Sequence, residues 1–99
     1  MHDLNGIQRD VLYVVAGMNE PYGLAIKDEL EEYYSTELNP SQIYQGLETL
    51  VDKGLVEKGQ LDQRANAYTL TERGRRELRA RHEWKRQYYS TEMPGSANV

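Results

Sequence analysis

The 99-residue sequence contains no cysteine and no phenylalanine, with three prolines and a single tryptophan. Without cysteine there is no disulfide framework, no thiolate nucleophile and no cysteine-based zinc site, so any redox sensing is indirect. Long apolar runs are missing as well. The longest, Val11-Leu12-Tyr13-Val14-Val15-Ala16, falls far short of the roughly 20 residues of a membrane-spanning helix. No basic segment precedes an apolar one near the start, so no export signal is expected and the sequence reads as cytoplasmic, with no membrane partner. Catalytic groups are equally scarce. His2 sits in an end expected to fray, His82 lies among charged neighbours, and Glu31-Glu32 reads as a solvated pair rather than a buried acid-base couple. Neither histidine has an evident nucleophile or metal set, no glycine-rich phosphate loop occurs, and no enzyme activity, cofactor or metal is expected.

What is present is a foldable composition, 38% hydrophobic and 28% charged, with length for one domain and a modest core that a partner subunit would help to complete. The net charge of −4 at first argues against a nucleic-acid partner. Its distribution softens that objection. Residues 1–62 hold four basic side chains against twelve acidic ones, whereas residues 63–99 hold eight against four. Arginine outnumbers lysine eight to four, and such an acidic chain suits a salt-rich, halophilic cytoplasm, where a strongly hydrated surface keeps proteins soluble. The other reading of the charge is ordinary acidity.

Periodicity orders the chain. Ile7, Val11, Leu12, Val14 and Val15 recur at helical spacing behind a capping Asn5, predicting a helix over Gly6–Ala16. Glu20-Pro21-Tyr22-Gly23 reads as a turn. After it, Leu24, Ile26, Leu30 and Tyr33 or Tyr34 set the apolar face of a second helix. Asn39-Pro40 starts a third and Gly54 stops it, giving Pro40–Lys53 with Ile43, Leu47, Leu50 and Val51 inward. Leu55–Lys58 and Ala67–Leu70 read as the strands of a hairpin, and Thr71 caps a last helix from Glu72 to about Tyr89. The expected fold is mainly α with a small β-hairpin: a winged helix-turn-helix over residues 1–71, a C-terminal dimerisation helix over 72–90 and a frayed tail over 91–99.

With the apolar face of the third helix turned inward, Ser41, Gln42, Gln45 and Thr49 point outward and Tyr44 sits at the edge. Helix-turn-helix proteins read base edges from the first turns of this helix, and glutamine suits the N6/N7 edge of adenine. Asn39 adds an amide at the same end. Arg64 and Asn66, in the hairpin loop, are placed to reach phosphate or minor groove, while Arg9 and Lys53 are placed to clamp the backbone on either side. Glu48 and Asp52 also face outward, at a cost in phosphate repulsion. Most of the basic run from Arg73 to Arg86 reads as a solvated helix with internal ion pairs. In that helix Leu78, Trp84 and Tyr88 form a sparse apolar stripe, expected to pair with its copy in a second subunit.

Tyr22-Gly23, Ile43-Tyr44 with Leu47 and Leu50, Gly54-Leu55-Val56, Arg64, and Tyr68-Thr69-Leu70-Thr71 followed by Gly74 and Leu78 together resemble the PadR family of transcriptional regulators, over roughly residues 5–90. The resemblance implies a winged helix with a C-terminal dimerisation helix, sequence-specific operator binding and usually repression. It also implies that Tyr44 and Arg64 approach DNA. The single-helix ending resembles the smaller branch of the family, and the acidic composition is similar to that of haloarchaeal members. Two positions depart from the family pattern. Gln45 stands where proline is frequent, which frees it to read bases, and Ala65 stands where a second basic residue is frequent, which removes a phosphate contact. The reading is a DNA-binding transcriptional regulator, a homodimer on a pseudo-palindromic operator in double-stranded DNA. The rival reading is a winged-helix protein-protein adaptor, which an acidic surface would suit.

Overall fold

The computed structural model describes residues 1–60 and 65–89. Their elements run α1 (Gly6–Gly17), α2 (Gly23–Tyr34), α3 (Pro40–Asp52), β1 (Val56–Gln60), β2 (Asn66–Leu70) and α4 (Glu72–Arg86), the order of a winged helix. Arg64 and the tail expected over 91–99 lie outside the described residues.

Local chemistry sets the helix starts. Asn5 Oδ1 accepts from the Gln8 amide at 2.8 Å while Gln8 Oε1 accepts from the Asn5 amide at 3.0 Å, a reciprocal cap that satisfies two otherwise orphan donors. Asn39 Oδ1 accepts from the Ser41 amide at 3.0 Å, and Pro40 needs no partner at the first helical position. Thr71 Oγ1 accepts from the Gly74 amide at 2.9 Å and donates to the Gly54 carbonyl at 2.7 Å, so the cap of α4 also ties it to the end of α3. Gly54 adopts a φ of +74°, a left-handed stop that side chains resist.

The core is one cluster. Val11, Leu12 and Val15 of α1 meet Ile26 and Leu30 of α2 and Ile43, Leu47 and Leu50 of α3, closed below by Leu55, Val56 and Tyr68 of the hairpin and by Leu78 of α4. Each fully buried aliphatic side chain contributes about 1.5–3 kcal/mol of transfer free energy. The two strands pair antiparallel, Val56 opposite Leu70 through Gln60 opposite Asn66. The Glu20–Gly23 segment does more than turn: Tyr22 bridges to Ala67, and the Tyr68 amide donates to the Pro21 carbonyl at 2.9 Å, which fastens the wing to the start of α2.

The structure revises some of the expected faces and ends and resolves one left open. Leu24 is 52% exposed rather than inward, because at about 100° per residue it lies some 200° around the helix from Ile26. Of the two tyrosines left open, Tyr34 turns inward and Tyr33 is exposed. Finally, α4 ends at Arg86 because its last turn tightens: the Tyr88 and Tyr89 amides both donate to the Lys85 carbonyl.

Tyr34 joins α2 to α1 by donating its hydroxyl proton to Asp10. Burial first, and this hydrogen bond second, push its phenol up from about 10 to about 12. Between those values the unfolded chain gives up the proton while the folded chain keeps it, so this contribution to stability is complete below pH 10 and lost as pH rises toward 12. Denaturant titrations are expected to show a shallower alkaline decline for Tyr34→Phe than for the parent, and parallel declines would contradict this assignment.

Candidate nucleic-acid interface

The outward face of α3 is built from its first turns. Ser41, Gln42, Tyr44 and Gln45 are exposed while Ile43, Gly46 and Leu47 are buried beneath them. Asn39 and Ser41 are partly committed to the cap, the Ser41 hydroxyl donating to Asn39 Oδ1 at 2.9 Å. Gln42 and Gln45 stand over a shallow cleft that they share with Asn5, Ile7, Gln8 and Gly46, where α1 begins. Thr49, a turn further on, is half-buried, and Asn66 is exposed at the start of β2.

Tyr44 is held by a neighbour that sequence spacing does not reveal. A Cβ on Gly23 would come within 2.7 Å of Tyr44 Cζ, so only glycine lets this ring lie against the first turn of α2. The ring is 42% exposed, and the residues on either side of Gly23, Tyr22 and Leu24, are themselves 45% and 52% exposed. Together they give the head of the helix-turn-helix an apolar rim able to meet a thymine methyl group. Leu24 was missed as an outward residue; its position two residues from Ile26 was the signal available.

The expected backbone clamps are internally engaged. Arg9 donates to the Leu4 carbonyl. Lys53 Nζ lies 2.6 Å from Asp3 Oδ2, and this hydrogen bond, with the ammonium charge behind it, lowers the Asp3 carboxyl to about 2. Glu48, expected to repel phosphate, is paired instead: Lys58 Nζ on β1 lies 3.0 Å from its Oε1.

On α4 the stripe divides. Leu78 is 8% exposed and belongs to the core of the single chain, because it falls one turn after Gly74 on the inward face. Trp84 and Tyr88 remain outside, 54% and 67% exposed, in edge-to-face contact with ring centroids 5.3 Å apart. Lys85, on the other side, sits 5.8 Å from the centre of the Tyr13 ring of α1. Glu72–Arg75 and Glu83–Arg86 come within 3.8 and 3.9 Å, loose pairs on a solvated face. Among the described residues there is no cluster of metal-ligating side chains, and no helix is long and apolar enough to cross a membrane.

Comparison with known proteins decides the family. Residues 11–80 match the model of the transcriptional regulator PadR-like family. The chain belongs to that family. Its members are transcriptional regulators, not enzymes. Among solved structures it is similar to RosR of H. salinarum, crystallised from NaBr, at 42% identity over 98% of this chain and 87% of that one, with a TM-score of 0.85. A complex structure of hsRosR-S1 matches at 44% identity over 92% and 80%, with a TM-score of 0.84. PadR of Bacillus subtilis, solved in complex with operator DNA, matches at 25% identity and a TM-score of 0.67, over 91% of this chain and 51% of that longer one. No curated protein matches the chain significantly.

Proposed function

We propose that this PadR-like chain is a sequence-specific regulator that binds an operator in double-stranded DNA as a homodimer, with α3 in the major groove and the wing against the flanking backbone. The observation that carries the reading is the row of exposed, uncharged hydrogen-bonding side chains Ser41, Gln42 and Gln45 on the first turns of the third helix, with Tyr44 seated on Gly23 beside them. The operator complex of B. subtilis PadR supports it. Arg64 and Asn66 of the wing are proposed to meet phosphate or minor groove, with Arg9, Asn39, Thr49 and Lys53 along the border of the site. The exposed Trp84–Tyr88 pair is the proposed seat of the second subunit. The acidic balance and the identity to RosR of H. salinarum support work in a salt-rich cytoplasm.

The test is discrimination. Gln42→Ala and Gln45→Ala are each expected to weaken operator binding by about 1–3 kcal/mol while sparing random duplex. Titrations with labelled operator and random fragments measure both, and equal losses on the two would reject base reading by these residues.

A further inference from the structure

Every basic side chain of residues 1–60 is engaged inside the chain: Arg9 with the Leu4 carbonyl, Lys27 with Glu31 at 3.1 Å, Lys53 with Asp3 at 2.6 Å and Lys58 with Glu48 at 3.0 Å. The last pair differs from the others in place. Glu48 lies on the outward face of α3, one turn beyond Tyr44 and Gln45, and Lys58 lies on the wing strand beside it. These are the two elements proposed to straddle the duplex. Sequence reading alone gave Glu48 only a repulsive role there.

Resting on the DNA-binding reading, we infer that Glu48 is a specificity determinant that acts by holding the wing cation Lys58 back from the phosphate backbone. A lysine on a wing strand is placed for a sequence-independent phosphate contact, the kind that strengthens binding to every duplex equally. Here the carboxylate takes that role first, and the pairing holds the Lys58 ammonium above its ordinary range. An exposed ion pair is weak in water, yet transfer of Lys58 to a phosphate is not a simple gain. It leaves Glu48 uncompensated on the face that meets the polyanion, so one attraction is exchanged for another and a repulsion is added. The pair therefore presents a neutral surface to DNA and leaves affinity to groups that read bases. In a salt-rich medium little is forfeited, because the counterion release that drives phosphate binding is already suppressed there.

The experiment is a salt titration of binding to a random-sequence duplex and to the promoter fragment of the chain's own gene, with the parent, Glu48→Gln, Lys58→Ala and the double variant. Glu48→Gln is expected to steepen the dependence of log K on log salt by about 0.9, one phosphate contact, which is about a threefold larger change in affinity over a fourfold change in salt. Random duplex gains more than the promoter, so the ratio between them falls. Lys58→Ala is expected to weaken binding to both duplexes, because it leaves Glu48 uncompensated, and the double variant, which lacks both charges, to keep the parent slope. Thermal melts check that all four proteins are folded. A double variant with a slope flatter than the parent's by about 0.9 would show that Lys58 already contacts phosphate in the parent and would overturn the inference, as would equal slopes for Glu48→Gln and the double variant. Either result leaves DNA binding standing, whereas a parent that binds neither duplex removes the reading on which the inference rests.

Discussion

Gly74→Ala is expected to destabilise the fold by about 1–3 kcal/mol, the usual cost of forcing atoms into a filled interior. Gly74 lies in the first turn of α4, where a Cβ would collide with the Leu55 carbonyl and come within 2.7 Å of Leu70 Cδ1. The carbonyl is backbone and is already committed as acceptor to the Thr71 amide at 3.1 Å, so it has little freedom to move aside. The Leu70 side chain can shift only by giving up its packing against the core. Relief must come from α4 as a whole, which would draw Leu78 out of the core and strain the Thr71 tie to Gly54. Urea unfolding of the parent and the variant checks this, and a variant with an unchanged midpoint would show that the close approach is dispensable.

Trp84→Ala is expected to have its effect elsewhere. Because Trp84 is 54% exposed in the single chain, where it borders Tyr88 and a shallow cleft with Met1, His2 and Ala80, its truncation costs the fold little, and the helical signal should be kept. A large aromatic at the centre of an interface is a typical anchor whose removal costs about 2 kcal/mol or more, roughly a thirtyfold weaker dimer. Loss of the dimer removes the second reading head, and one head covers too few base pairs to be selective in a genome. Sedimentation at micromolar concentration is therefore expected to find the parent dimeric and the variant shifted toward monomer, with operator binding lost where the parent saturates. A parent that sediments as a monomer would contradict the proposed assembly.

The features most legible in the sequence were those with local causes. Asn5, Asn39-Pro40 and Thr71 mark helix starts because a cap depends on residues only two or three positions away. The inward Ile43, Leu47 and Leu50 follow from helical period alone. What escaped depended on contacts distant in sequence. Glu48 and Lys58 meet only because β1 runs back beside α3, and Gly23 is needed only because Tyr44, twenty-one residues later, lies on it. Leu78 illustrates a different limit. An apolar residue on a sparse helix satisfies the pattern of an internal core and of a subunit interface equally, and only the position of α4 over Leu55 and Leu70 assigns it to the core. β1 begins at Val56 rather than Leu55 for a similar reason, since the Leu55 amide is already donated to the Leu50 carbonyl at 2.9 Å.

Sequence-specific binding through α3 is tested most directly by footprinting the promoter of the chain's own gene with the purified protein, in potassium-rich buffer and with random duplex as competitor. The expected result is a protected stretch holding two inverted half-sites with centres about one helical turn, or a multiple of it, apart, as a two-fold dimer requires, and surviving the competitor. Uniform protection that random duplex abolishes, or none at all, would contradict it.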